Sequence, residues 1–162
     1  MELKKAQMIA DEVVSKLSPY CERIAVAGSI RRKKDWVRDL DLVVIPSNQG
    51  HFLGTLYDMG LIKSGAGKLL RVELQLGFPA GLMLDVYIAT PETWATLLLI
   101  RTGSAAHNRK LCGIARSQGM ILHADGSGLF KIASNQRIAG DTETSVFEKL
   151  GLPYKAPEDR EL

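Results

Sequence analysis

The sequence predicts an α+β protein, a mixed sheet of about five strands with helices on one side followed by a small α+β carboxy-terminal subdomain. Three observations predict it. Apolar residues at Leu3, Ala6, Ile9, Ala10, Val13, Val14 and Leu17 keep the three-and-four spacing of a one-sided helix. Two runs rich in Leu, Val and Ile, Asp39 to Pro46 and Leu82 to Ala89, read as strands interrupted by acidic residues. After them the chain changes character, with helical runs and only short strand-like pieces between turns. The expected division is a sheet-containing part over 1–90 and a smaller, helix-rich part over 91–162.

Ser18-Pro19 ends the first helix, because the residue before proline avoids the helical region. Arg23 to Ala27 reads as a strand that stops at Gly28-Ser29, and a basic turn leads to the next strand at Asp39. Gly50 to Met59 reads as a helix. Ser64-Gly65-Ala66-Gly67 is expected as a loop before strands at about Lys68 to Leu76 and Leu82 to Ala89, which Phe78-Pro79-Ala80-Gly81 connects. That loop is not a phosphate loop, since Leu69 follows Lys68 where Ser or Thr is needed to hold magnesium. Thr90-Pro91-Glu92 opens a helix that Trp94 to Ile100 continues, and Thr102-Gly103-Ser104 breaks it. Ser104 is placed to cap a helix from Ala105 to Ser117. Short strands follow at Met120 to His123 and Leu129 to Ile132, and a last helix, Glu143 to Lys149, ends at Gly151.

The chain has 162 residues, 46% hydrophobic and 24% charged, which excludes disordered, collagen-like and coiled-coil classes. Its length suffices to bury a core without disulfides or a structural metal. Only Cys21 and Cys112 are present, without the spacing of a zinc site or a disulfide framework. No apolar run approaches the roughly 20 residues that span a bilayer, and the amphipathic start is no signal peptide, so a cytoplasmic protein is expected. Twenty-one Lys and Arg against 18 Asp and Glu leave a formal charge of +3, too small to identify a nucleic-acid binder. The distribution says more. Arg31, Arg32, Lys33, Lys34 and Arg38 crowd together, as do Arg101, Arg109, Lys110 and Arg116, and such clusters could follow a phosphate backbone. Trp94 lies in an apolar helix and is expected in the core; Trp36 falls in the basic turn, where a plain surface role is the default and contact with a base the alternative. The three histidines lack ligand spacing; His107, beside Asn108, is expected to reach nucleotide or template, and His51 and His123 to be surface residues.

The chemistry concentrates in Gly28-Ser29-Ile30-Arg31-Arg32 and Asp39-Leu40-Asp41. A strand ending in Gly-Ser lets backbone N–H groups and a hydroxyl approach phosphate oxygens, and Arg32 adds charge there. Asp39 and Asp41, two apart on a strand, point to one face while Leu40 and Leu42 point to the other. Neighbouring carboxylates repel and cost the fold energy without a cation, so the pattern suggests hard divalent ions with oxygen ligands. Asp85 is a third carboxylate interrupting an apolar strand, and pairing of the two strands would let it complete a two-metal site. Each feature alone is commoner as a turn or a strand edge; the three together, in this order, favour function.

Gly28-Ser29 with Arg32, Asp39-Leu40-Asp41-Leu42-Val43-Val44, Leu84-Asp85-Val86, and Thr102-Gly103-Ser104 with His107-Asn108 resemble the family X DNA polymerases, relatives of polymerase beta in the nucleotidyltransferase superfamily. The resemblance continues through Gly128-Leu129-Phe130, Ile138-Ala139-Gly140-Asp141-Thr142-Glu143, Leu150-Gly151-Leu152-Pro153-Tyr154 and Pro157-Glu158-Asp159-Arg160. It implies a nucleotidyltransferase palm over 1–90 and a carboxy-terminal nucleotide- and DNA-binding subdomain over 91–162, a minimal monomeric form without the amino-terminal helical domain of other members. The implied activity is template-directed DNA synthesis in short-gap repair: a deoxynucleotide joins a primer 3′-hydroxyl and pyrophosphate leaves. The resemblance assigns two magnesium ions, with manganese as substitute, to Asp39, Asp41 and Asp85. Gly28, Ser29, Arg32, Gly103, Ser104 and Asn108 would bind the nucleotide, with Asn108 at the minor-groove edge of its base. Lys33, Lys34, Arg109, Lys110 and Arg116 are the candidates for contacts to primer-template or gapped DNA. The chain departs from the family at Ile100-Arg101, where many relatives have an aromatic pair, at Cys112 and Met83, where arginine occurs, and at Arg38, where glycine is usual. The alternatives are a nucleotidyltransferase with an RNA, protein or small-molecule acceptor, and a non-catalytic DNA-binding descendant.

Overall fold

A computed structural model of the chain describes residues 1–161 and divides it into two compact units, Met1–Ile88 and Ala89–Leu162. The fold is α+β with a mixed five-stranded sheet flanked by helices, as the sequence predicts. In the first unit, helix α1 (Leu3–Leu17) buries Ala6, Ile9, Ala10, Val13 and Leu17, the stripe its spacing requires. A 3-10 turn at Ser18–Tyr20, with Pro19 inside it, leads into β1 (Cys21–Val26). The four-residue helix α2 (Gly28–Arg31) follows, then β2 (Leu40–Pro46), α3 (Gln49–Met59), β3 (Gly60–Ala66), β4 (Leu69–Leu74) and β5 (Met83–Ile88). Asn48 caps α3, its side-chain oxygen accepting the His51 N–H at 3.1 Å.

The strand order is β1-β2-β5-β4-β3, with β2 and β5 parallel and every other pair antiparallel. Alternation along the central strands sends Leu40, Leu42, Val44, Leu84 and Val86 to one face, where they join Val13, Leu17, Phe52 and Leu56 from α1 and α3 in a single core. Asp41 and Asp85 therefore lie on the opposite face.

One expectation fails in this sheet. Ser64-Gly65-Ala66, read as a loop, belongs to β3 and pairs with Arg71, Leu70 and Leu69 of β4; the connection is only Gly67-Lys68. Glycine and serine carry a turn signal locally, but here the Gly65 backbone lies against β4, and a Cβ on Gly65 would stand 2.6 Å from the Leu70 side chain.

In the second unit, α4 (Trp94–Thr102) and α5 (Ala105–Ser117) are followed by β6 (Met120–His123), β7 (Gly128–Lys131), β8 (Arg137–Ala139) and α6 (Glu143–Lys149). Strands β6, β7 and β8 form an antiparallel sheet. The sequence reading missed β8, whose three residues are too few to show alternation. Leu99, Ile100, Leu111, Ala115, Leu122, Leu129, Val146 and Phe147 make the core, and Trp94 is buried as expected. A reciprocal capping box between Thr142 and Ser145 starts α6, and Gly151, at φ +71, lets the chain turn after it. Among the described residues no helix is long and apolar enough to cross a membrane.

The last turn of the chain is tied down by Arg160, which is fully buried. Its guanidinium donates to Glu143 Oε1 at 3.1 Å and to the Lys155 carbonyl at 3.0 Å, and lies 5.5 Å from the ring centres of both Phe147 and Tyr154. Removing it breaks the buried ion pair with Glu143 and empties a packed position, so Arg160→Ala is expected to destabilise the second unit by about 3 kcal/mol in denaturant unfolding.

His107 is 2% exposed, and its Nδ1 has no hydrogen-bond partner. The expected contact with nucleotide or template is thus replaced by a place in the core, where the ring lies 5.9 Å from Phe147. Burial, reinforced by Arg160, Lys155 and Lys110, pushes its pKa down to about 4. Between about pH 6.5 and 4 the unfolded chain binds a proton that the folded chain refuses, so stability falls as pH falls through this window. Thermal unfolding should show a Tm decline there that His107→Phe reduces; an identical decline in the variant would assign it to other groups.

Candidate active site

The parallel pairing of β2 with β5 places Asp41 directly opposite Asp85. Both side chains rise from the face away from the α1 and α3 core, and Asp85 is 5% exposed. Two carboxylates at one rung of adjacent strands repel unless positive charge stands beside them. Arg71 supplies it from β4, the strand on the other side of β5, where it is the register partner of Asp85. Its Nε donates to Asp85 Oδ1 and its Nη2 to Oδ2, both at 2.7 Å, a bidentate pair. The hydrogen bond to Asp85 raises the already high basicity of Arg71, so this cation is permanent.

Asp39 stands one residue before β2 rather than within it, and its carboxylate accepts from Arg38 Nε at 3.2 Å. Arg38 and Asp39 are 92% and 36% exposed in their side chains, so this pair is open to solvent and contributes little to stability. Among the described residues no three His, Cys, Asp or Glu side chains are gathered closely enough to hold a metal ion. The Asp41 and Asp85 pair nonetheless offers the all-oxygen donors that suit a hard divalent cation, set on one rung of neighbouring strands. Gly28 adds a second fitting feature. The Ala27 N–H donates to the Asp41 carbonyl at 2.8 Å, and a Cβ on Gly28 would collide with the Asp41 carboxylate. Gly28 is also at φ +58, so both its missing side chain and its backbone shape are required.

Ser29 lies on α2 and Arg32 caps its end, the Arg32 N–H donating to the Gly28 carbonyl at 3.2 Å. Lys33, at φ +58, and Lys34 follow in the turn, both exposed. The structure thus brings Gly28, Asp41 and Asp85 together on one face of the first unit, with Ser29 and Arg32 beside them in the chain.

Gly103, Ser104 and Asn108 form a separate group in the second unit. Ser104 caps α5 as expected, accepting the His107 N–H at 3.0 Å. Its hydroxyl also donates to the Glu161 carbonyl at 3.1 Å, and its N–H donates to the Arg160 carbonyl at 3.1 Å, so the end of the chain holds this turn. Asn108 spends its amide N–H on the Ile100 carbonyl at 2.7 Å and keeps a buried Oδ1 without a partner. A Cβ on Gly103 would stand 2.6 Å from that oxygen, which explains the glycine. Arg109, Lys110 and Arg116 are exposed on α5, and Arg109 and Arg116, seven residues apart, share one helix face. Burial pushes the Cys21 thiol up to about 11 and raises that of Cys112, so neither is a nucleophile at neutral pH.

Arg71 is the residue that sequence reasoning missed. Its one signal was its position on an alternating strand, and nothing local specifies that β4 pairs with β5 in the register that sets it against Asp85.

Residues 97–161 match the family model of the DNA polymerase beta thumb. The chain is 29% identical over 159 residues to the DNA polymerase/3′-5′ exonuclease PolX of Bacillus subtilis, a match covering 96% of the chain and 28% of that protein. To DNA polymerase lambda of Rattus norvegicus it is 35% identical over 86 residues, 48% of the chain and 15% of the relative. To DNA polymerase lambda of Arabidopsis thaliana it is 27% identical, over 96% of the chain and 34% of the relative. The chain therefore spans about a third or less of the length of these curated relatives. The thumb match in the second unit and the similarity that runs over nearly the whole chain make it similar to these DNA polymerases.

Proposed function

We propose that this chain is a template-directed DNA polymerase that adds deoxynucleotides to a primer 3′-hydroxyl, with short-gap repair synthesis as its role. The observation that carries the reading is the in-register Asp41–Asp85 pair beside a glycine that leaves room for it. Two magnesium ions, or manganese in their place, held by Asp39, Asp41 and Asp85 would neutralise charge at the α-phosphate and lower the pKa of the primer hydroxyl.

The chain's own residues do the rest by position. Ser29, Arg32 and the backbone at Gly28 would receive the triphosphate and stabilise the pyrophosphate that leaves as the 3′-oxygen bonds to the α-phosphorus. Gly103, Ser104 and Asn108 would hold sugar and base on a turn already fixed by the Arg160 and Glu161 carbonyls. Lys33, Lys34, Arg109, Lys110 and Arg116 are assigned to DNA phosphates. A second reading, a DNA-binding descendant without catalysis, is favoured by one observation: Arg71 already occupies both oxygens of Asp85.

Extension of a labelled primer on a one-nucleotide-gapped template, each deoxynucleotide offered singly with magnesium, separates the readings. Template-matched addition is expected, falling at least a thousandfold in Asp39→Ala and Asp85→Ala while DNA affinity changes by less than about threefold. Untemplated addition would replace the polymerase by a terminal transferase, and DNA binding without addition would favour the descendant. Arg71 competes for the same carboxylate as a divalent ion, so Arg71→Met should bind manganese several-fold more tightly in calorimetric titration without DNA. Unchanged affinity would remove Arg71 from the site.

A further inference from the structure

The turn between α2 and β2 displays an aromatic residue that the proposed mechanism does not use. Trp36 is 70% exposed, while its neighbour Val37 is fully buried in the α1 and α3 core. This exposure is not the result of a loose loop. The Met1 amino group donates to the Val37 carbonyl at 2.7 Å, and the Val37 N–H donates back to the Met1 carbonyl at 2.8 Å. The Leu3 N–H donates to the Asp35 carbonyl at 3.0 Å, and Trp36 bridges Glu2 in antiparallel pairing. On the other flank, the Lys33 and Lys34 N–H groups donate to the Ile30 and Ser29 carbonyls at 2.9 and 3.0 Å. Strand-like alternation across this tethered segment, with Val37 fixed inward, turns Trp36 outward.

A tethered, exposed indole offers a large, flat, preoriented face for stacking. The surrounding charge identifies the partner. Arg31, Arg32, Lys33, Lys34 and Arg38 stand around it and outnumber the nearby acids, which are Asp35, Glu2 across the bridge, and Asp39, the partner of Arg38. Met8, Tyr57, Leu61, Leu76 and Ile132, the other large apolar residues more than half exposed among the described residues, have no comparable basic run around them in the sequence. An aromatic platform set among cations suits a strand whose phosphates meet the charges while an unpaired base lies on the ring. A paired base offers no free face except at a duplex end.

We propose that Trp36 is a stacking platform for an unpaired base of a single-stranded segment of the DNA substrate, held by the basic turn around it. The proposal rests on the reading of DNA as substrate and adds to it where the unpaired strand is gripped.

The protein carries its own probe. Its two tryptophans are Trp36, 70% exposed, and Trp94, 5% exposed, so quenching of fluorescence by acrylamide reports almost wholly on Trp36. The wild-type protein, without metal or nucleotide, is titrated with a duplex bearing a 5′ single-stranded overhang and with an end-free circular duplex at equal phosphate concentration. The overhang is expected to shield Trp36 from acrylamide at saturation, and the circular duplex to leave it quenchable. Trp36→Ala should weaken overhang binding about tenfold and circular-duplex binding less than twofold, and Trp36→Phe should restore most of the loss. Saturable overhang binding with Trp36 still fully quenchable would overturn the stacking site and leave the polymerase reading intact. Equal loss on both DNAs in Trp36→Ala would overturn it in favour of a general contact. Failure to bind any DNA would overturn both.

Discussion

The parallel rung that sets Asp41 against Asp85 is the constraint around which the first unit is arranged. Bringing two carboxylates together is unfavourable in itself, and the rest of the sheet works to maintain it. The opposite face of the same strands is wholly apolar and seats Leu40, Leu42, Leu84 and Val86 against α1 and α3, so neither strand can slip by one residue without burying an acid in the core. Arg71, one strand further on, offsets the repulsion by holding Asp85 with two hydrogen bonds. Gly28 keeps the space over Asp41 clear. Core packing therefore fixes the positions of the charges.

The second unit solves a different problem, that of holding a short turn rigidly. Thr102-Gly103-Ser104 joins α4 to α5, and a turn between two helices is ordinarily a mobile part of a fold. Here the Ser104 N–H and hydroxyl are both bound by carbonyls from the last residues of the chain. Those residues are anchored in turn by Arg160, buried beside Glu143, Phe147 and Tyr154. The long-range tie explains why a charged residue stands in an otherwise apolar core: its guanidinium satisfies carboxylate, carbonyl and aromatic partners that no apolar side chain could satisfy together.

Three of the uses of arginine in the chain are distinct in kind. Arg160 is a buried clasp, Arg71 is a counter-charge at the carboxylate rung, and the Arg31–Arg38 stretch is a basic surface with an indole at its centre. Local sequence identified the last, because clustering is visible in one dimension. The other two depend on partners 17 and 14 residues away in sequence, and no local pattern announces them.

The sequence by itself determined most of the elements. The apolar spacing of Leu3–Leu17, the Ser104 cap and the Thr142 to Glu143 start are local physical rules, and the helices they specify are those observed. It determined also that Asp41 and Asp85 interrupt apolar strands, while Asp39, read as part of the first, stands one residue before it. Where it failed, the deciding contact was nonlocal: β3 is a strand because β4 lies beside its glycine, and His107 is buried because α6 brings Phe147 to it. Strand order and register belong to tertiary structure alone, since they follow from which faces must be buried together. They alone decided that Asp85 meets Asp41 on one side and Arg71 on the other.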